Sequence, residues 1–446
     1  MRGLRSDMGR TRKRKLQLLP LHFAPSRRTA KAGAFTYGRT AKAGAFTYGR
    51  TAQAGAFTYG RTAQAGAFAY GRTAQAGAFA YVVLALLALP IHTTLAQIKI
   101  GAVTCLTGAL STFGISSIQG AKLAEEDANA AGGVLGQPIE LIVEDNGSKA
   151  GEATTITRKF ISQDKVVAIL GDLTSSATME GAPLAQAAKI PLLTPSATSV
   201  GITNIGDYIF RSCFIDSFTG KIMARFALDQ LKAKQAIILT DVKQEYSVDL
   251  SDVIRQYFTE NGGKISSAIS YSSGDTDFRA QLTEVRIAHP DVVFLPGYYT
   301  EAALILRQSR QLEIACPFVG GEGWDSPALV EIAGKSADGN YYTNHFSAAD
   351  PSPRVQEFVK TYRAKYHAVP DALAALWYDG ARLLFQAVQR AGSTDSVKIR
   401  DALASTRDFD GVTGRISIDA NRNASKPGVI LKIENGEMKM VQEVTP

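Results

Sequence analysis

Short apolar runs alternate with longer amphipathic stretches along the chain from Gln97 onward. The clearest runs are residues 98–103, 166–171, 190–193, 236–240 and 291–296. Apolar runs of this length, bounded by turn residues, are typical of buried strands, and the stretches between them have helical periodicity. Strands that alternate with helices predict an α/β fold with parallel sheets covered by helices on both faces.

The pattern occurs twice, which predicts two similar lobes. The first series has strands at 98–103, 138–144, 166–171, 190–193 and 208–213, with helices at 118–131 and 152–163. The second has strands at 236–240, 265–270, 291–296 and 317–320, with helices at 217–232, 249–261, 277–288 and 300–313. Two long helices follow at 353–367 and 371–392, and strands at 412–418 and 428–433 are expected to form a closing pair. A chain that builds two lobes and then returns must cross between them, and such crossings form hinges around ligand clefts.

Two strand-to-loop turns carry small hydroxyl residues. Residues 172–178 read DLTSSAT and residues 194–198 read TPSAT, each directly after an apolar run. Ligands in open α/β sheets bind outside the carboxyl ends of the strands. Free N–H groups at a helix start, beside Ser and Thr hydroxyls, suit a carboxylate or another small anion.

Charge divides the chain into two parts. The whole sequence has 49 basic and 41 acidic residues, a net charge of +8, but residues 1–96 hold 15 basic residues and one acidic residue, Asp7. The remainder therefore has 34 basic and 40 acidic residues, a net charge of −6. Because the basic excess lies in the leader, the composition gives no support for a nucleic-acid partner.

The leader contains near-identical copies of an 11-residue unit, RTAKAGAFTYG, between residues 28 and 81. The unit has few large apolar side chains, so we expect residues 1–71 to be disordered, or to be a DNA repeat translated through a start site assigned too early. Residues 72–96 combine Arg72, an apolar core and small residues at Thr94 and Ala96, which is the pattern of a secretory signal peptide. We expect cleavage near Ala96 and Gln97, and a periplasmic location.

The reactive side chains give little support for catalysis or metal binding. Cys105, Cys213 and Cys316 are far apart, and an odd number leaves at least one of them unpaired. The five histidines form no metal-binding spacing, so we expect no metal and no cofactor. The sequence has no G-x-S-x-G elbow, P-loop or G-x-G-x-x-G motif, so we expect a protein that is not an enzyme.

The motifs taken together resemble a known family. QIKIGAVTCLTGALSTFG, GDLTSSAT, TPSAT, PGYYTEA, GGEGWDS and FDGVTGRISID, in this order, are similar to motifs of the type I periplasmic binding proteins, and most of all to the branched-chain amino acid binding proteins of ABC importers. The resemblance implies two doubly wound lobes joined by three crossing strands, near 213–216, 343–347 and 412–416. Lobe 1 would be 97–214 plus 346–412, and lobe 2 would be 215–345 plus 413–446.

The resemblance also implies a set of ligand-binding residues. Ser175 and Thr198 would hold the ligand carboxylate, although Ser175 could instead simply cap a helix. Glu322, flanked by glycines, would pair with the ammonium group of the ligand; the alternative is that it lies on a surface loop. Ser196 and Ala197, in the second hydroxyl turn, would also contact the ligand. Four aromatic residues would line the part of the site that holds the ligand side chain: Phe113, Tyr246, Tyr298 and Trp324. For Phe113 and Trp324, core packing is the alternative. Some relatives carry a disulfide at the positions of Gly147 and Thr174, which this chain cannot form.

The function implied is capture of an amino acid, branched-chain or otherwise apolar, by a monomer that delivers it to an ABC transporter permease in the inner membrane. A binder of short amides, urea or aromatic acids remains an alternative, because such ligands would not need Glu322. A ligand-sensing partner of a signalling protein is a second alternative, and an α/β enzyme is a third.

Overall fold

The structure, a computed structural model, describes residues 96–445. The predicted repeats and signal peptide fall on the residues before Gln97, and all but Ala96 of them lie outside the described part of the chain. No helix among the described residues is both long and apolar enough to cross a membrane.

The first lobe is built on a sheet of five parallel strands, in the order β2-β1-β3-β4-β5. Its strands are β1 (Ile98–Thr104), β2 (Ile139–Asp145), β3 (Ala168–Leu170), β4 (Leu192–Thr194) and β5 (Ile209–Arg211). Its first helices are α1 (Ser111–Ala130), α2 (Glu152–Lys159) and α3 (Ser175–Ala188). The three central strands β1, β3 and β4 are almost entirely buried, as expected for strands covered on both faces.

The second lobe has a seven-stranded sheet, in the order β15-β14-β10-β9-β8-β6-β7. The parallel strands are β6 (Gln235–Asp241), β7 (Lys264–Tyr271), β8 (Val292–Phe294), β9 (Phe318–Gly320) and β10 (Tyr341–Asn344). Two antiparallel strands, β14 (Gly428–Glu434) and β15 (Glu437–Val444), complete one edge. The helices of this lobe are α4 (Asp216–Asp229), α5 (Glu245–Glu260), α6 (Arg279–Ala288), α7 (Tyr299–Gln311) and α8 (Pro327–Ala333).

The chain then returns to the first lobe. It forms α9 (Pro353–Tyr366), α10 (Ala372–Ala391) and α11 (Ser396–Ala404), followed by a small antiparallel sheet of β11 (Phe409–Gly411), β12 (Gly414–Ile418) and β13 (Ala424–Ser425). The fold therefore has two sheet-based lobes joined by three crossings, as the sequence predicts.

The third crossing lies later in the chain than predicted. The loop before β13 stays with the first lobe, because the Arg211 N–H donates to the Arg422 carbonyl and Arg422 donates to the Thr203 carbonyl. The chain passes to the second lobe only at 426–427, directly before β14, and not at 412–416. The predicted closing pair of strands is also not a pair: β12 bonds to β11 and β13, whereas β14 bonds to β10 and β15.

Several element boundaries differ from the sequence pattern for local physical reasons. Helix α1 begins at Ser111 and not near residue 118, because Phe113 is buried in its first turn and Gly114 approaches the Cys105 carbonyl too closely for a side chain. Helix α5 begins at Glu245, four residues before the predicted start. The predicted helix 152–163 changes to a π turn at Phe160–Asp164, and α8, α11 and β15 were not predicted.

The closest helix contact in the first lobe joins α1 and α10. A Cβ atom on Gly120 would lie 2.0 Å from the backbone oxygen of Ala374, so only glycine allows the two helices to approach this closely. Helix α10 is apolar over most of its surface, and fourteen of its residues are buried. A helix buried on nearly all sides is held by such packing more than by its own propensity.

We expect Gly120→Ala to destabilise the protein although alanine favours helices. The added methyl would push α1 away from the α10 backbone, and overpacking of this kind costs about 1–3 kcal/mol. Urea denaturation of the variant should show a lower midpoint, while Ile115→Ala, on an exposed position of the same helix, should change stability by less than about 0.5 kcal/mol. An unchanged or raised midpoint for Gly120→Ala would contradict the packing argument.

Candidate functional site

A small cavity of about 20 Å³, which is space for about one water molecule, lies between the two lobes. Its walls are formed by Phe113, Leu173, Ser175, Ser196, Thr198, Tyr246, Tyr298, Glu322, Gly323 and Leu373. Seven of the nine residues predicted from the sequence are among them, whereas Ala197 and Trp324 are not.

The first hydroxyl turn ends at the N-terminus of α3. Thr174 is the N-cap, and its hydroxyl accepts a hydrogen bond from the Ala177 N–H at 3.3 Å. Ser175 is therefore the first helical residue and not the cap, and its hydroxyl accepts from the Ser199 N–H at 3.1 Å. The N–H groups of a first helical turn have no carbonyl partner within the helix, so this end of the cavity is suited to an anion.

The second turn supplies one hydroxyl group to the cavity. The Thr198 hydroxyl lies in the cavity and donates to Glu322 Oε1 of the other lobe at 3.2 Å. The Ser196 hydroxyl is not available to a ligand, because it donates to the Leu173 carbonyl at 2.9 Å and accepts from Trp377 Nε1 at 3.2 Å. Its side chain consequently fixes the wall of the cavity.

Ala197 lies behind this wall. Its carbonyl oxygen accepts from the buried guanidinium of Arg211 at 3.2 Å and from the Cys213 thiol at 3.4 Å. Arg211 also donates to the Ser199 carbonyl at 2.6 Å. The predicted contact of Ala197 with the ligand is thus replaced by a supporting role for its backbone.

A buried carboxylate fixes the first turn to the neighbouring loop. Asp172 accepts two hydrogen bonds from the Asn146 amide, at 2.8 and 3.0 Å, and one from the Leu173 N–H at 2.5 Å. Burial raises the pKa of Asp172 to about 7. Gly147 and Thr174 lie in these same two loops, which the Asn146–Asp172 pair joins.

One carboxylate, Glu322, lines the cavity, and a second, Asp216, is buried beside it. Glu322, at the start of a short 3₁₀ turn after β9, is 9% exposed, and Asp216, at the start of α4, is completely buried. Within residues 96–445, neither oxygen of Asp216 has a hydrogen-bond partner, and Glu322 Oε2 has none either. A buried carboxylate oxygen without a donor is costly, so this side of the cavity is suited to a cation with several N–H groups.

Burial perturbs both of these acids. Desolvation raises the pKa of Glu322 to about 7. Desolvation also raises the pKa of Asp216 well above its ordinary value, and the negative charge of Glu322 raises it further. Like charges in a dry site oppose ionisation, and a bound cation would reverse that effect.

Aromatic rings form one wall of the cavity. Tyr246 and Tyr298 stack with ring centroids 5.3 Å apart, and Phe113 meets Tyr298 edge to face at 6.1 Å. Tyr246 also accepts a hydrogen bond from the Gly323 N–H at 3.4 Å. Phe113 was predicted in a loop but belongs to α1, which carries it into the cavity across the cleft from Tyr298.

Trp324 belongs to the core and does not line the cavity. Its indole is completely buried beneath Gly320, and its N–H donates to the Leu295 carbonyl at 3.2 Å. The core-packing alternative therefore describes this residue. It supports Glu322 from below, because both residues belong to the same short turn.

Four residues at the site escaped the sequence reasoning. Leu173 and Leu373 add aliphatic surface to the cavity and Asp216 is a second carboxylate buried beside it, whereas the remaining one, Gly323, was predicted only as a glycine that flanks Glu322. Leu173 follows directly after a predicted strand, which is a usable signal. Leu373 and Asp216 reach the site only because α10 and the first crossing pass beside it, and no local motif indicates that.

The arrangement can bind a small zwitterion but has no feature of a catalytic centre. Hydroxyls and a helix N-terminus lie on the first-lobe side of the cavity, the Glu322 carboxylate lies on the second-lobe side, and apolar side chains form the rest of the wall. No group of three or more His, Cys, Asp or Glu side chains within residues 96–445 could hold a metal ion. The three cysteines are unpaired, and burial raises the pKa of Cys105 and of Cys213 to about 12.

Known proteins share this sequence and fold. A family model described as periplasmic binding protein matches residues 97–437. The leucine-, isoleucine-, valine-, threonine- and alanine-binding protein of Pseudomonas aeruginosa is 27% identical over 72% of this chain and 86% of its own length.

Solved structures agree with this match. The leucine-binding protein LivK of Thermotoga maritima is 38% identical with a TM-score of 0.76, covering 78% of this chain and 99% of that one. The substrate-binding protein LivJ of Streptococcus pneumoniae, in complex with isoleucine, is 37% identical with a TM-score of 0.75, covering 79% of this chain and 100% of that one. A solute-binding protein of Rhodopseudomonas palustris in complex with 3,4-dihydroxybenzoic acid is 26% identical with a TM-score of 0.71, covering 78% and 97%.

These relatives are solute-binding proteins and not enzymes, and their family is extracytoplasmic. The match spans nearly all of the described residues, and the two-lobed fold with its interlobe cavity agrees with it. The chain belongs to the type I periplasmic binding proteins, in the branched-chain amino acid family.

Proposed function

We propose that this protein captures an apolar L-amino acid, of the branched-chain type, in the interlobe cavity and delivers it to an ABC transporter permease. The observation that carries the proposal is the buried Glu322 carboxylate in the cavity wall, whose Oε2 has no hydrogen-bond partner among residues 96–445, with Asp216 buried beside it and the hydroxyls of Ser175 and Thr198 on the other lobe. A free amino acid presents one cation and one anion on a single carbon atom. A site with these two complementary ends is therefore suited to that group.

The rest of the cavity favours an aliphatic side chain. Leu173 and Leu373 add branched aliphatic surface beside the rings of Phe113 and Tyr298. The cavity of about 20 Å³ holds about one water molecule, so its walls must move apart to admit an amino acid. Relatives named for binding leucine, isoleucine and valine support the same ligand class.

Residues 72–96 would direct export, and the mature chain would begin near Gln97. The closed form would then dock on the permease as a monomer. The family's role in ABC transporters supports this step.

A second candidate ligand is an aromatic acid, because the R. palustris neighbour was solved with 3,4-dihydroxybenzoic acid. Such a ligand has a carboxylate for the α3 end but no ammonium group. It would bring a further negative charge near Glu322 and would supply no N–H donor to the free Glu322 Oε2, which is unfavourable. The amino acid is therefore the better match.

Isothermal titration should show binding of L-leucine, L-isoleucine or L-valine in the micromolar range, which corresponds to about 8 kcal/mol. Benzoate and 4-hydroxybenzoate, titrated in parallel, should give no heat. Binding of the aromatic acids without binding of any amino acid would overturn the assignment.

We expect Glu322→Gln to weaken binding of L-isoleucine by about 30-fold or more, because it removes one partner of a buried charge pair at nearly constant volume. Asp216→Asn should weaken binding in the same direction. Both affinities can be measured by titration calorimetry.

The matched control is Glu125→Gln. Glu125 is also 9% exposed, but it lies on α1 and accepts from the Leu141 N–H at 2.7 Å, away from the cavity. Its replacement should leave the affinity unchanged. Equal losses in the Glu322 and Glu125 variants would show that the effect is structural and would argue against an ammonium site.

The affinity should fall as the pH is lowered through about 7. Glu322 has a raised pKa, so below that pH the ligand-free site holds a proton that an ammonium ion must displace. Each displaced proton lowers the affinity by up to about tenfold per pH unit. Titrations between about pH 5.5 and about pH 8 should show this trend in the wild-type protein and a flat profile in the Glu322→Gln/Asp216→Asn double variant. A pH-independent wild-type affinity would contradict the role of these acids.

A further inference from the structure

A carboxylate of the second lobe holds the N-terminus of a helix in the first lobe. Asp325 Oδ2 accepts a hydrogen bond from the Ala372 N–H, the first N–H of α10, at 2.6 Å. Asp325 Oδ1 accepts from the Tyr342 hydroxyl of its own lobe at 2.8 Å, which fixes its position. The helix also has its own N-cap, Asp371, which accepts from the Ala374 N–H at 2.9 Å. The contact of Asp325 is thus a second cap, supplied from across the cleft.

The opposite arrangement occurs at α5. The Ser176 hydroxyl of the first lobe accepts a hydrogen bond from the Glu245 N–H, the first N–H of α5 in the second lobe, at 3.2 Å. The same hydroxyl donates to Gln244 Oε1 at 3.3 Å. Gln244, the N-cap residue of this helix, makes no side-chain cap of its own. Each lobe therefore supplies a capping side chain to a helix of the other lobe.

All four partners are close in sequence to residues that line the cavity. Ser176 follows Ser175, Glu245 precedes Tyr246, and Ala372 precedes Leu373. Asp325 comes three residues after Glu322, at the end of the same short turn. A movement of either contact is therefore transmitted directly to the ligand site by the backbone.

We propose that these two reciprocal caps are the latches that hold the lobes closed over the ligand, and that Asp325 and Ser176 are positioning residues for capture. When the lobes separate, both helix N-termini lose their cross-cleft acceptor and turn to water. Loss of a capping contact of this kind changes an equilibrium constant by about 2- to 30-fold, which is enough to change a dissociation rate without deciding the fold. The inference rests on the proposed function only in that a ligand drives the closure.

Proline at the first helical position tests each latch with little disturbance of the helix. Proline is favoured at this position, has no N–H to donate, and already begins α8 and α9 as Pro327 and Pro353. The preceding residues Asp371 and Gln244 have extended backbones, with ψ of −179° and 116°, which are compatible with a following proline. Ala372→Pro and Glu245→Pro therefore remove the cross-cleft donors selectively.

The matched control is Ser396→Pro, at the first position of α11. This helix lies wholly within the first lobe, and its N-cap Asp395 also has an extended backbone, with ψ of 128°. The cap of α11 serves Val397 and Lys398, so a proline at 396 removes none of its bonds. Ser176→Ala, which removes an acceptor in place of a donor, is a second probe of the α5 latch.

The measured quantities are the association and dissociation rates of radiolabelled L-isoleucine and the melting temperature of the ligand-free protein. Ala372→Pro should raise the dissociation rate by about tenfold, and Glu245→Pro and Ser176→Ala by about threefold, with association rates changed by less than about twofold. Ser396→Pro should match the wild type in both rates. The melting temperature without ligand should be unchanged in all of them, because the latches form only on closure.

Equal destabilisation of the ligand-free and ligand-bound forms by Ala372→Pro would overturn the proposal, because the contact would then exist without closure. Unchanged dissociation rates in all three cross-cleft variants would also overturn it. If the wild type binds an aromatic acid and no amino acid, the proposed function is wrong. The same association and dissociation rates, measured with that acid, then test whether the two caps hold the lobes closed. If neither binds, amide hydrogen exchange of the ligand-free protein decides: fast exchange at Ala372 and Glu245 supports the latches, and slow exchange excludes them.

Discussion

The site depends on one electrostatic constraint, which is that Glu322 and Asp216 are taken out of water together. Burial raises the pKa of both carboxyl groups, and three of their four oxygens have no hydrogen-bond partner among residues 96–445, although the Arg211 guanidinium partly offsets the charge of Asp216. Burial of such groups is costly. The ammonium group of the proposed ligand would offset this cost, whereas a ligand that has only a carboxylate would not.

The topology brings the two acids together from separate parts of the chain. Asp216 follows the first crossing directly and begins α4, whereas Glu322 follows β9 near the middle of the second sheet. The opposing hydroxyls lie at the carboxyl ends of β3 and β4, where the five-stranded sheet leaves a crevice. The hinge therefore has a chemical role as well as a mechanical one, because the strand that joins the lobes also delivers a charged group to the ligand.

The sequence predicts the features that local patterns encode. Three features are local in this sense: the alternation of strands and helices, the two hydroxyl turns and the glycine-flanked Glu322. The structure places the two turns and Glu322 at the cleft. The direction of the Ser196 hydroxyl could not be predicted, because it depends on Trp377, which is distant in sequence. The third crossing was placed too early because an apolar run predicts a strand but not its partner, and here β12 pairs with β13. Asp216 and Leu373 were missed because only the path of the chain in space brings them to the site.

The sequence holds two tryptophans, and each is connected to the ligand cavity from a different lobe. Trp377 donates its indole N–H to Ser196 in the first lobe, and Trp324 lies directly after Gly323 in the second. Both indoles are completely buried, so their emission reports the local electric field and not exposure to bulk water. A change in charge or packing beside either ring would therefore change the intrinsic fluorescence of the protein, without any attached dye.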